Sequence, residues 1–194
     1  MKKRDHLKRL PAEYYRGDAI VHWNLTIRDR KVGWLSSLFY YRFRELLTHT
    51  AFRYEIACPI FCLMPDHFHM LWMGLSRSSD QLLAMRYFRT VTNESLKRLG
   101  YELQDQAYDH VLRADERYES GFREIVDYIA RNPERAQLVG VDQFASYKFT
   151  GCLVPGYPAL RLFTPDFWNE FHRIIPFLRA QGVSRRPKDL QPST

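Results

Sequence analysis

The stretch "CLMPDHFHMLWM", Cys62 to Met73, places apolar runs on both sides of Pro65-Asp66, a dipeptide that makes a turn. Behind the turn, "RYEIACPIFCLM" (Arg53 to Met64) reads as a strand with Pro59 at an edge or bulge. Ahead of it, "HFHMLWMGL" (His67 to Leu75) reads as a second strand, so the pair forms a hairpin. Alternate side chains on a strand share a face. Phe68, Met70 and Trp72 therefore point into a core, and His67 and His69 point the other way, roughly 6–7 Å apart. Two imidazoles at that spacing can converge on one metal ion, or they can hydrogen-bond to neighbours.

Working outward, "AIVHWNLTIRD" (Ala19 to Asp29) is β-rich and partly alternating, a first strand. In "GWLSSLFYYRFRELLTHTAF" apolar residues recur at Leu35, Leu38, Phe39, Phe43, Leu46 and Leu47, which is helical spacing with Ser36 or Ser37 as cap. "SSDQLLAMRYFRTVTNESLKRLG" opens on a Ser/Asp cap and stops at Gly100, a second helix. "YDHVLR" predicts a fourth strand, and "SGFREIVDYIARNP" a third helix stopped by Pro133. The order strand, helix, strand, strand, helix, strand, helix fits an α+β fold, a ferredoxin-like (RRM-like) sandwich with an antiparallel sheet and helices on one face. Residues 1–17 read as a basic arm, 18–150 as the domain, and 151–194 as a C-terminal helical extension with a disordered tail, "SRRPKDLQPST". Beyond Tyr147 the pattern is irregular; "PDFWNEFHRIIPFLRA" looks like one amphipathic helix broken near Pro176.

Composition narrows the partners. Lys plus Arg number 29 against 22 Asp plus Glu, a net charge of +7 that favours polyanions, nucleic acid before membrane. Aromatics make up 15% of the 194 residues, enough to leave rings for stacking. Cys58, Cys62 and Cys152 give an odd count with no zinc spacing; they read as small core residues in a reducing cytoplasm. No apolar run approaches membrane-spanning length, and "MKKRDHLKRLP" lacks the apolar stretch of a signal peptide.

In the third helix Phe122, Ile125, Val126 and Ile129 make one apolar stripe. Tyr128 lies to one side of it, with Asn132 one turn on along the same flank. Tyr128 is either a boundary tyrosine or a functional one. Asn132 is either the N-cap of the next helical piece, with Pro133 at its first position, or a ligand.

"LMPDHFHMLWM" together with "IVDYIARNPERAQLV" resembles the single-tyrosine HUH transposases, the insertion-sequence transposases and their REP-associated tyrosine transposase relatives. The likeness extends through "AIVHWNLTIRDR" and "YDHVLRADERY" and covers roughly residues 15–150. It implies that Tyr128 is a nucleophile forming a 5′-phosphotyrosine and that His67 and His69 hold Mg²⁺ or Mn²⁺ with Asn132 completing the site. It also implies single-stranded or hairpin DNA as substrate, as either a monomer or a homodimer. Asparagine rather than glutamine at 132 resembles the REP-associated branch. Phosphate contacts would then come from Arg28, Arg30, Lys31, Arg42, Arg44, Arg86, Arg89, Lys97 and Arg98. Two other readings stand beside this one. The first is a module of the same fold that grips hairpin DNA without cutting it. The second is a zinc-dependent hydrolase using His67 and His69 with Asp66 or His110.

Overall fold

The computed structural model describes residues 9–113 and 119–183. Five strands form one antiparallel sheet in the order β4-β1-β3-β2-β5. They are β1 (Ile20–Thr26), β2 (Ile56–Leu63), β3 (His67–Gly74), β4 (Tyr108–Val111) and β5 (Thr150–Leu153). The helices are α1 (Ser37–Tyr54), α2 (Gln81–Lys97), α3 (Glu119–Ala130), the one-turn α4 (Asn132–Arg135) and α5 (Phe167–Gln181). No helix among the described residues is long and apolar enough to cross a membrane.

Local chemistry explains the boundaries. Ser36 caps α1, its hydroxyl accepting the Phe39 amide at 3.1 Å, and Asp80 caps α2 by accepting from Leu82 and Leu83. The β2–β3 register shifts between Ala57 and Ile60, so Pro59, which cannot donate to the ladder, sits in a bulge. Gly74 ends β3 where a Cβ would lie 1.8 Å from the Gly17 carbonyl oxygen, an approach only glycine permits.

One face of the sheet carries Val21, Trp23, Leu25, Phe61, Phe68, Met70 and Trp72 against α1 and α2. Phe43 of α1 is buried there among Phe61, Phe68 and Phe88, with ring centroids 5.1–5.6 Å away. Phe43→Ala should lower unfolding stability by about 3–5 kcal/mol, read as a reduced urea midpoint with unchanged slope.

The expectation of helices on one face holds for α1 and α2 and has to be extended. The other face is covered too, by Phe122, Val126 and Ile129 of α3 and by Phe167, Phe171, Ile174 and Leu178 of α5. Every residue of β2 is buried, as a strand covered on both faces requires. The extension beyond 150 therefore contributes to the core: β5 begins at Thr150 and pairs with β2, and α5 packs on the second face. Helix α5 also runs unbroken through Pro176, which is exposed, so the carbonyl it leaves unpaired one turn back can reach water. Of the expected N-terminal arm, residues 1–8 lie outside the described residues. From Arg9 onward the chain lies on the sheet: Tyr15 is buried and bonds Asp109, as does Arg9. The tail from 184 also lies outside the described residues.

Candidate active site

The second face of the sheet carries the polar alternation of β1 (His22, Asn24, Thr26) beside that of β3. Asn24 stands opposite His69 and Thr26 opposite His67. His67 Nε2 and His69 Nε2 approach to 3.1 Å, His69 Nδ1 lies 3.0 Å from His22 Nε2, and His67 Nδ1 lies 2.6 Å from Asp66 Oδ1. Arg30 Nη1 donates to the other oxygen of Asp66 at 2.7 Å. The turn carboxylate thus orients one imidazole, and the β1 imidazole orients the other.

This chain of contacts has two consistent proton arrangements. In one, His22 donates to His69, His69 to His67, and His67 to Asp66, and every bond is satisfied without an ion. In the other, His69 donates from Nδ1 to His22 and His67 from Nδ1 to Asp66. Both Nε2 lone pairs then face a common point. Two imidazoles bound at right angles to one ion at about 2.1 Å hold their nitrogens about 3.0 Å apart, close to the separation seen here. A further observation favours the second arrangement. Asn24 Oδ1, on the same face beside His69, is buried without a hydrogen-bond partner. Trp72 Nε1 and Thr92 Oγ1 are likewise unpartnered, but Trp72 belongs to the opposite core and Thr92 to α2. An orphaned amide oxygen beside paired imidazole nitrogens suits a cation. The described residues hold no group of three or more His, Cys, Asp or Glu side chains placed to bind one ion. The donor set is therefore two nitrogens plus amide, water or substrate oxygens. Such a set leaves coordination positions open to water or a substrate oxygen.

Burial sets the charge state of these imidazoles. It pushes His69 down to about 2, helped by His22 and His67, and pushes His22 down to about 4, helped by His110. Both are neutral at physiological pH. Burial raises the Asp66 carboxyl, but its hydrogen bonds from His67 and Arg30 outweigh that and hold it below its usual range. A depressed imidazole means that the unfolded chain, near 6.5, binds protons the folded chain refuses. This contribution to stability is complete above pH 6.5 and is lost as pH falls. Chemical denaturation of metal-free protein at pH 7 and pH 5 should show a loss on the order of 2 kcal/mol for each buried imidazole.

Tyr128 is 43% exposed and stands on α3 over this cluster, its ring edge-on to His69 at 5.7 Å and to His22 at 6.0 Å between centroids. Arg135 of α4 lies over the Tyr128 ring, 4.8 Å from its centroid, and donates to the Tyr128 carbonyl at 3.0 Å. Of its two expected roles, Asn132 does not take the capping one. It is the first residue of α4 rather than its cap, and its amide donates back to the Tyr128 carbonyl at 2.8 Å. No described contact joins Asn132 to His67 or His69; its link to the site is through Tyr128.

The basic residues named from sequence divide by location. Arg30 enters the site through Asp66. Arg28 pairs with Glu102 and Asp105 beside a surface cleft that also takes in Lys31 and Lys97. Arg42 pairs with Glu45, and Arg86 and Arg98 are exposed on and beside α2, so these three lie across the sheet from Tyr128. Arg89 is part-buried and donates to the Gln104 carbonyl. Arg44 lies over the rings of Tyr40 and Phe61. Sequence reasoning passed over His22 and Asn24. The signal was present in β1, whose every second residue after Ile20 is polar.

No protein-family model and no curated protein matches the sequence. Among solved structures, the chain is similar to a REP-associated tyrosine transposase bound to a REP hairpin: TM-score 0.63 and 17% identity over 89% of this chain and 88% of that one. At that identity the likeness shows the fold, and the chain has the fold of that transposase, an open antiparallel sheet with helices.

Proposed function

We propose that the protein is a transposase-type enzyme that cuts and rejoins single-stranded DNA beside a hairpin. The observation that carries this reading is the placement of an exposed tyrosine on a helix edge-on to His69, whose Nε2 converges with that of His67. The structural neighbour, a transposase bound to a hairpin, supports DNA as the partner.

Tyr128 Oη would attack the phosphorus of a backbone phosphate. The O–P bond forms as the P–O3′ bond breaks, leaving a 5′-phosphotyrosine, and the phenolic proton is balanced by protonation of the departing 3′-oxygen. The phosphodiester energy stays in the covalent bond, so a second 3′-OH can reverse the step and join strands. Arg135, over the ring and on the Tyr128 carbonyl, and Asn132, on the same carbonyl, hold the nucleophile's helix end in place. His67, His69 and the Asn24 oxygen are the groups that would hold Mg²⁺ or Mn²⁺, and Asn132, one turn from Tyr128, would join them only if its oxygen turned toward the pair. When bound, that ion supplies a positive charge that polarises a phosphate oxygen. Asp66 and His22 keep the two imidazoles presenting Nε2.

Incubation with single-stranded hairpin DNA and Mn²⁺, followed by a denaturing gel, should reveal protein attached to the 5′ side of the cut. Binding without any cut or adduct would instead favour a silent hairpin-binding module. Asn24→Ala should weaken Mn²⁺ binding by roughly 10-fold or more in an electron paramagnetic resonance titration, while Asn24→Asp should bind at least as tightly as wild type. Equal affinities in all three would remove Asn24 from the site.

A further inference from the structure

A second concave surface lies at the far edge of the sheet, a groove of about 430 Å³ between α1 and β5. That volume is in the range of ligand pockets. Tyr41 and Arg44 line one wall, Lys148, Arg161 and Phe163 the other, and Gly151 of β5 is the floor. A Cβ at Gly151 would come within 2.8 Å of Phe61 Cζ and 3.2 Å of both Arg44 Nη1 and Tyr40 Oη, so the floor is bare backbone. The charge is one-sided. None of the described lining residues is acidic, and Arg44, Lys148 and Arg161 form no ion pair among the described residues.

The aromatic rings are presented rather than hidden. Tyr41 is 70% exposed. Phe163 is held at the rim with φ 69°, a left-handed backbone that a bulky residue adopts only when its surroundings enforce it, with its ring edge-on to Phe144 at 5.5 Å. Arg44 donates to the Tyr40 hydroxyl and Arg161 to the Pro158 and Leu160 carbonyls, neutral partners that position the guanidiniums without cancelling their charge; exposed rings interleaved with such cations and no carboxylate match a strand of unpaired bases on a phosphate backbone. They do not match a duplex, whose bases are already stacked.

Gly151 faces Phe61 and α1, so the groove lies across the sheet from His69 and opens at the β5 edge, where Thr150 stands in one row with Cys62 and His69. Tyr147, on the groove wall, donates to the Leu63 carbonyl at 3.0 Å, just ahead of the turn that carries Asp66. We infer that this groove is a separate binding site for one or two unpaired nucleotides of single-stranded DNA. Tyr41 and Phe163 stack the bases, and Arg44, Lys148 and Arg161 take the phosphates. The inference rests on the proposed DNA reading for its ligand but not on cleavage.

The test is fluorescence anisotropy of the full chain with a labelled thymidine hexanucleotide, without divalent metal, across a salt series. Tyr41→Ala should weaken binding by about 5-fold or more, and Tyr41→Phe should not. Lys148→Ala should lower the slope of log affinity against log salt by about 0.7, the value for one phosphate contact on a single strand. Both replaced side chains are exposed, so folding is not at issue. Unchanged affinity in Tyr41→Ala, or an effect of Lys148→Ala alone, overturns the site as a base-binding groove and leaves only general charge attraction. Wild type that binds no hexanucleotide overturns it as well. If Tyr128→Phe binds the hexanucleotide normally and no variant ever cuts DNA, the groove stands and the cleavage reading falls. If cutting occurs but Tyr41 and Lys148 do not affect hexanucleotide binding, the reverse holds.

Discussion

Tyr128→Phe is expected to abolish both cutting and joining, by about 1,000-fold or more, while hairpin binding stays within a few-fold of wild type. The substitution removes one oxygen from a ring that is 43% exposed, so packing is nearly conserved and stability should move by less than about 1.5 kcal/mol. The ring contacts to His22 and His69 and the stacking of Arg135 do not require the hydroxyl. A variant that cuts normally would make Tyr128 a boundary residue. Peptide mapping of the wild-type adduct should place it on Tyr128. An adduct on Tyr108 of β4, or on Tyr118, which lies outside the described residues, would keep the chemistry and move the nucleophile.

Replacing both His67 and His69 by alanine should be equally severe for cutting and should also eliminate Mn²⁺ binding. Hairpin affinity should survive, because phosphate contacts spread over the surface dominate it. His69 is 2% exposed and bonded to His22, so its loss leaves a buried ring nitrogen unpaired, at a cost of about 1–3 kcal/mol. The assay therefore belongs at a temperature where a circular dichroism melt shows the variant folded. EDTA should reproduce the loss in wild type, and Mn²⁺ should restore it. Full cutting by the double variant would end the cation role of the pair.

The hairpin and its histidine pair were legible because strand alternation and the Pro-Asp turn are local signals. Phe68, Met70 and Trp72 had to share one face once His67 and His69 shared the other. The bulge at Pro59 was legible for the same reason, since a missing amide leaves few places in a sheet. What lay beyond local signal was pairing. β5 is four residues long and follows a run of turns, so nothing nearby in sequence marks it as a partner of β2. His22 becomes a partner of His69 only through the β1–β3 register, which brings together residues 47 apart. Of the two sequence readings of Asn132, the capping one fails although Asn-Pro suits a helix start, because its side-chain amide is engaged by the end of the preceding helix. Helix α5 was read as broken because proline usually stops a helix; at Pro176 the freed carbonyl can face water, and Ile174, Ile175 and Leu178 hold the buried side.

The seating of α5 beside α3 bears on how far the polypeptide can be shortened. Phe122 of α3 meets Trp168 of α5 edge-on at 5.8 Å, and both helices share one apolar layer under the sheet. Trimming at residue 150, where the sequence motifs stop, would strip the wall against which the Tyr128 helix leans and leave a greasy, aggregation-prone surface in its place. A shortened version has to keep the chain through Val183, the last residue of that apolar layer.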